Sequence, residues 1–224
     1  MRNPVKLYLL ALTFFIAQDA SSQFPVFSLS TDLGAQRSFK KEQQYWAFGH
    51  TLQGHFNFTP KDGIYLWLSY YTNGDFSNKV TATAKSPATL PQQIVYTNNA
   101  IMGLKHFSTG WKKYLKGTFD NEEGWNLYGY AGFGLLFGRI ENTHSVAIDT
   151  NDYYVPVRSG KANFKRLTFD LGLGYEIPLG GDIYFYMEGR AWIPASDYPS
   201  KFLFVNDNAP LVGMLNAGIR ILFN

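Results

Sequence analysis

Residues 166–177 read RLTFDLGLGYEI and alternate along their whole length. Leu167, Phe169, Leu171, Leu173, Tyr175 and Ile177 are apolar, and the residues between them, Arg166, Thr168, Asp170, Gly172, Gly174 and Glu176, are polar or small. A β-strand sends successive side chains to opposite faces, so this stretch makes a strand with one wholly apolar face and one polar face. Strands of soluble domains average about five or six residues, whereas a strand tilted across a bilayer needs about 9–11. This one runs for about twelve, and its length favours a membrane.

Seven other segments repeat the pattern with varying clarity. Residues 26–36 set Phe27, Leu29, Leu33 and Ala35 against Ser28, Ser30, Asp32 and Gln36; residues 45–58 set Trp46, Phe48, Leu52, Phe56 and Phe58 against Thr51, Gln53, His55 and Asn57. Residues 64–72 favour Ile64, Leu66, Leu68 and Tyr70 as the apolar face, and residues 94–107 favour Tyr96, Ala100, Met102 and Leu104. Residues 125–139 carry Trp125, Leu127, Ala131, Phe133, Leu135 and Phe137. Residues 182–193 carry Ile183, Phe185, Met187 and Ile193, and residues 211–223 carry Leu215, Ala217, Ile219, Ile221 and Phe223. The total is eight strands, an even number. Short turns at Pro60-Lys61-Asp62-Gly63 and Pro178-Leu179-Gly180-Gly181 alternate with longer polar stretches at 37–44, 77–93, 141–163 and 195–210. Segment 108–124 is long yet falls on the short-turn side, where Trp111, Lys112, Lys113, Tyr114 and Lys116 would form one amphipathic turn at the interface. Aromatic residues collect at both strand ends: Trp46, Tyr70, Tyr96 and Phe137 toward the loops, and Phe58, Phe107, Trp125, Tyr175 and Phe223 toward the turns. Two such girdles, with short turns on one side and long loops on the other, mark an outer-membrane barrel.

Composition narrows the function classes. Among 224 residues, 19 Phe, 15 Tyr and 5 Trp are too many for a chain that stays solvated. The absence of cysteine removes disulfides, thiolate metal sites, cysteine nucleophiles and a lipidated N-terminal cysteine. A net charge of +3 is too weak to argue for nucleic acid. Residues 1–22 read as a cleaved signal peptide: Arg2 and Lys6 are followed by the apolar run Leu7 to Ala17, and Ala20-Ser21-Ser22 leads to cleavage near Ser22/Gln23. Residues 23–224 are then the barrel domain. No later stretch is long and apolar enough for a transmembrane helix.

On these residues the chain resembles the small eight-stranded outer-membrane barrels of the OmpA/OmpX/OmpW type, particularly the Bacteroidetes outer membrane beta-barrel proteins. The resemblance covers residues 23–224 and rests on pattern. It implies an all-β, antiparallel up-and-down transmembrane barrel in the outer membrane of a Gram-negative bacterium. Its most local element is the last strand, where Gly218, Ile219, Ile221 and Phe223 are similar to the C-terminal signal read by the barrel-assembly machinery. Family members end on the aromatic, and here Asn224 follows.

Little in the sequence calls for catalysis or a cofactor. His50 and His55 face opposite sides of one strand, and neither can share a metal with the other. Lipid A deacylases carry a His-x-Ser arrangement near the end of the barrel, and no histidine follows His144. A palmitoyltransferase would need His, Asp and Ser grouped at the outer rim; His144, Ser145 and Asp149 lie in one loop with no sign of preorganisation. The inward parity is more telling. Asp32, Arg166, Asp170, Glu176, Glu188, Arg190 and Arg220 would form a lumenal charge network beside His55, Asn126 and Asn216, with Tyr128, Tyr130, Tyr184, Tyr186 and Trp192 filling the remaining space. If Pro178 opposes Asp182, Asp170 faces Arg190 across the turn. With the adjoining strand ends counted, residues 37–44, 77–93, 139–166 and 194–210 hold 11 Lys and Arg against 6 Asp and Glu, which suits lipopolysaccharide phosphates.

The resulting expectation is a non-enzymatic barrel with a structural or interaction role through its loops and segment 108–124. Its partners would be outer-membrane lipid and lipopolysaccharide, the assembly machinery during biogenesis, and a periplasmic or outer-membrane protein. A narrow channel for small or apolar solutes is the alternative, and a lipid-modifying barrel enzyme the third reading. In intact cells, a cysteine introduced at position 85 should react with an impermeant thiol reagent and one at position 113 should not; the opposite pattern reverses the topology.

Overall fold

Inside a bilayer no water is available to satisfy a bare strand edge, so strands that cross must close into a ring. A computed structural model describes residues 26–39, 41, 43–195 and 211–223 and shows that closure. The long strands are β1 (Val26–Ser38), β2 (Trp46–Asn57), β3 (Asp62–Ala84), β4 (Gln93–Lys116), β5 (Asn126–His144), β7 (Gly160–Gly180), β8 (Ile183–Pro194) and β9 (Val212–Phe223). The two-residue β6 (Tyr153–Tyr154) pairs only with the far end of β3. Each long strand pairs antiparallel with its neighbours in the ring, and β1 with β9 closes it. The segment read as a signal peptide and Asn224 lie outside the described residues.

The stagger follows from the register. Paired residues lead from Ser28 through His55, Tyr65, Gly110, Gly132, Asp170, Trp192 and Val212 back to β1 at Ser38, ten residues further along. A stagger of this kind tilts the strands by roughly 35–45° and leaves a lumen that side chains can fill. It also keeps parity around the ring, so every residue on that path points inward.

The outward face carries the apolar set read from β1, β2, β5, β7, β8 and β9, together with Ile64, Leu66, Leu68 and Tyr70 of β3. In β4 the expectation is inverted: Tyr96, Ala100, Met102 and Leu104 are buried inside, while Val95, Ile101 and Phe107 face out. Apolar residues sit at both parities there, as in Ile101-Met102, so alternation alone could not choose a face. The ladders with β3 and β5 choose it. Two girdle assignments change as a result. Tyr96 is interior, and Phe107 lies mid-wall opposite Leu68 and Leu135 rather than at the turn end.

Two loop assignments and one strand register change too. Residues 77–84 and 93–101 are strand, so the β3–β4 hairpin stands beyond the barrel wall and its loop shrinks to 85–92. Residues 108–116 continue β4 rather than turning, with Trp111 and Lys113 out and Lys112 and Tyr114 in. Only 117–125 connect β4 to β5. Trp111 and Lys113 both reach the Oδ1 of Asp62 in the neighbouring turn, at 3.0 and 2.9 Å. The indole hydrogen bond first, and the lysine second, hold that exposed carboxyl below its usual range. Finally, β7 and β8 pair two residues out of the expected register: Asp170 opposes Trp192, and Arg190 opposes Gly172. The cause is an irregularity between Pro178 and Gly180, with Gly180 and Gly181 both at positive φ, which tightens the turn.

Leu171 lies on the lipid face near the middle of β7. Leu171→Arg should lower the unfolding free energy in lipid by about 2–4 kcal/mol, read from urea titration of the folded form.

Candidate functional site

Among the described residues the buried charged side chains gather in the lumen, which is packed in three storeys. At the end of the short turns, Arg220 of β9 donates from Nε and Nη2 to the two oxygens of Glu176 on β7, both at 2.8 Å. Its Nη2 also donates to the carbonyl of Phe119 at 2.6 Å, and its guanidinium lies 4.0 Å from the Tyr184 ring centre. Phe119 belongs to the 117–125 connection and is buried, so that turn folds under the barrel mouth. Asn126 donates to Glu176 at 3.0 Å, and the Lys112 ammonium sits 3.7 Å from the centre of the Tyr128 ring.

Arg190 of β8 dominates the middle storey. Its Nη2 donates to Asp32 of β1 at 2.6 Å and also to Glu188, its Nε to Glu188 at 2.7 Å, and its Nη1 to Thr51 at 2.9 Å. Gln53 and the Tyr186 hydroxyl donate to the same Asp32 oxygen, Asn216 donates to the other, and Tyr128 donates to Glu188 at 2.6 Å. Room for the tyrosines comes from inward glycines opposite them. A side-chain carbon at Gly172 would fall 2.2 Å from the Tyr130 ring, and one at Gly174 would fall 2.3 Å from that of Tyr128. The glycines of RLTFDLGLGYEI are seats for tyrosine.

Above this layer, Asp170 accepts a 2.5 Å bond from Ser108 and lies 3.4 Å from Nε2 of His106. The Trp67 indole donates to Nδ1 of His106 at 3.0 Å. An indole N–H can only donate, so Nδ1 carries no proton and the histidine is neutral, with its Nε2–H directed at Thr168 and Asp170. This Ser, His and Asp lie together but do not form a nucleophilic relay, because the serine bonds to the carboxylate rather than to the imidazole and is fully buried. Leu104, Met102, Leu136, Ile140 and Phe164 then close the long-loop end as an apolar layer. Arg166, also buried, donates to the carbonyl of Lys165.

Asp170 and Arg190 are therefore not partners; the two-residue register difference gives Arg190 to Asp32 and Glu188, and Asp170 to Ser108 and His106. Sequence parity puts Trp67 on the face opposite Ile64, Leu66, Leu68 and Tyr70, where it is buried, but sequence reasoning missed His106, Ser108 and Lys112 as interior residues. Their signal was strand parity, once β4 is carried through to Lys116. With Lys112 included, the buried set among the described residues is four carboxylates and four cations. No group of three or more His, Cys, Asp and Glu able to hold a metal occurs among the described residues. At the long-loop end, Ser145 Oγ accepts from the Thr97 backbone and Asp149 accepts from the Asn151 backbone.

The architecture has known counterparts. Ail, the attachment invasion locus protein of Yersinia pestis, solved in complex with the heparin analogue sucrose octasulfate, superposes with a TM-score of 0.50 over 90% of this chain and all of its own, at 12% identity. The outer membrane protein OprG of Pseudomonas aeruginosa superposes at 0.52 over 90% and 97%, with 11% identity. Neisserial surface protein A gives 0.50 over 88% and 97%, with 12% identity. The fold is that of a small outer-membrane barrel. At these identities the likeness speaks for the fold alone. No family model and no curated protein matches the chain.

Removing Arg190 leaves Asp32 and Glu188 buried without their shared cation, so Arg190→Met should destabilise by about 3–5 kcal/mol. In double-mutant cycles followed by urea unfolding, Arg190 should couple to Glu188 more strongly than to Asp170. The reverse order would restore the simple cross-turn register.

Proposed function

We propose that this chain is a non-enzymatic outer-membrane barrel, exported through residues 1–22, that works by its surface rather than by its lumen. The observation that carries the reading is the filled interior. Arg190 is bonded to carboxylates from β1 and β8, Phe119 lies below it, and an apolar layer lies above it. A path for solute would have to break charge-assisted bonds in a low-dielectric space and then wet an apolar constriction. In this reading Asp32, Glu176, Glu188, Arg190 and Arg220 are a structural plug joined by Arg166 and Asp170, and Gly218, Ile219, Ile221 and Phe223 on β9 are the strand the assembly machinery reads.

The extracellular end supports an interaction role. The β3–β4 hairpin beyond the wall has a small apolar core of its own, Val80, Ala82, Tyr96 and Tyr153, with Ile94, Ile148 and Val155 packed against it. β6 adds to its edge, and Lys85 donates to the carbonyl of Thr150 at 2.7 Å, which ties in the 145–159 loop. Such a tower is a preorganised platform, which spares a partner the entropy of ordering loops. Its exposed Leu90, Val95, Val146 and Tyr154 are contact candidates.

Purified protein in planar bilayers should show only rare, small current steps. Steady, large, ohmic conductance would overturn the plug and promote the channel.

A further inference from the structure

The outer wall changes character abruptly between two neighbouring outward rows. The mid-wall row Leu68, Phe107, Leu135 and Leu167, paired across β3, β4, β5 and β7, is wholly apolar. The next outward-facing row toward the extracellular end is Tyr70, Lys105, Phe137 and Lys165, in which aromatic and cation alternate from strand to strand. Lys105 lies over the Tyr70 ring at 5.6 Å and Lys165 over that of Phe137 at 5.8 Å. One row higher stand Gly103 and its partner Arg139. These residues line an external groove of about 670 Å³ whose floor is open at Gly103, where a side-chain carbon would meet nothing closer than the Tyr71 carbonyl at 3.9 Å.

The groove's charge is unbalanced. Glu141 is its one carboxylate, and Lys161 already holds that carboxylate at 3.1 Å. Lys105, Arg139 and Lys165 take part in no salt bridge among the described residues. Three cations outside any salt bridge thus stand on the loop side of an apolar row. Aromatic rings between them offer flat faces for sugar or acyl contact.

We propose that this groove is a binding site for the phosphorylated disaccharide headgroup of an outer-leaflet glycolipid, of the lipid A type. Lys105 and Lys165 are two strand spacings apart, about 10 Å, so one phosphate can meet each end of the row. Arg139 adds a planar, bidentate donor above it. The acyl chains then lie along the Leu68, Phe107, Leu135 and Leu167 row. This inference rests on the outer-membrane topology proposed above; cysteine labelling in cells tests that topology, whereas binding by purified protein tests the groove.

The experiment is native mass spectrometry of the refolded full-length barrel with defined lipids: bisphosphorylated lipid A, its dephosphorylated form, and phosphatidylcholine. Lys105→Gln, Arg139→Gln and Lys165→Gln combined should weaken retention of the bisphosphorylated lipid on the order of a hundredfold, since each cation near a phosphate contributes roughly a fivefold factor. Gly103→Trp should weaken it as well by filling the groove with every charge kept, while Lys61→Gln with Lys79→Gln should leave it unchanged. Folding of each variant is checked by heat-modifiable migration in gels. Equal retention of phosphorylated and dephosphorylated lipid, an unaffected triple variant, or displacement by inorganic phosphate at equal concentration would each overturn the proposal.

Discussion

An unpaired backbone N–H or C=O in hydrocarbon costs several kcal/mol, and a sheet edge would expose a whole row of them. Closure of β1 onto β9 removes that edge, and the price of closure is geometric: the ring meets only at a stagger that brings Ser28 round to Ser38. That stagger decides which inward side chains share a layer. Asp32, Glu188 and Arg190 meet because two ladders, β1–β9 and β9–β8, are phased together. Shifting one ladder by two residues would leave parity intact and every side chain still inward, yet it would separate the charges.

The interior and the exterior of this barrel therefore answer to different physics. Lipid-facing residues need only be apolar over the membrane's depth and aromatic or basic at its borders, a loose requirement that many sequences meet. Lumenal residues must fill space and pair charge at once. The seating of Tyr128 and Tyr130 on Gly174 and Gly172 shows how tight that requirement is. It also makes a filled lumen the natural state of an eight-stranded ring, and turns attention to the outside for function.

Outside, two features meet at the loop end of the wall. The hairpin tower becomes possible at the irregularity between Tyr71 and Gly74, where Asn73 adopts φ 60° and the strand changes parity. Below it Tyr71 is inward, and above it Phe76 and Val80 are. The bulge lets one strand obey the barrel below and build a second small core above. The basic-aromatic row begins on the same two strands just below the bulge, where Tyr70 pairs with Lys105, so the change from apolar to cationic side chains falls beside the start of the tower.

The alternation in RLTFDLGLGYEI, the even number of such segments and the alternation of turns with loops were enough to establish an antiparallel membrane barrel, because side-chain parity is a local property of a strand. The lipid face of six strands and half of β3 was legible for the same reason. Three things were not legible. The face of β4 was ambiguous because apolar residues occupy both parities around Ile101-Met102; the strand's continuation through Trp111-Lys112-Lys113-Tyr114 was hidden by lysines, one of which is interior and stacked on tyrosine. The partner of Arg190 was misplaced because a two-residue change at the Pro178–Gly180 turn is silent in the pattern. Which residues are inside follows from period two along one strand; which of them touch depends on the phase between strands, and that phase is set only when the whole ring closes.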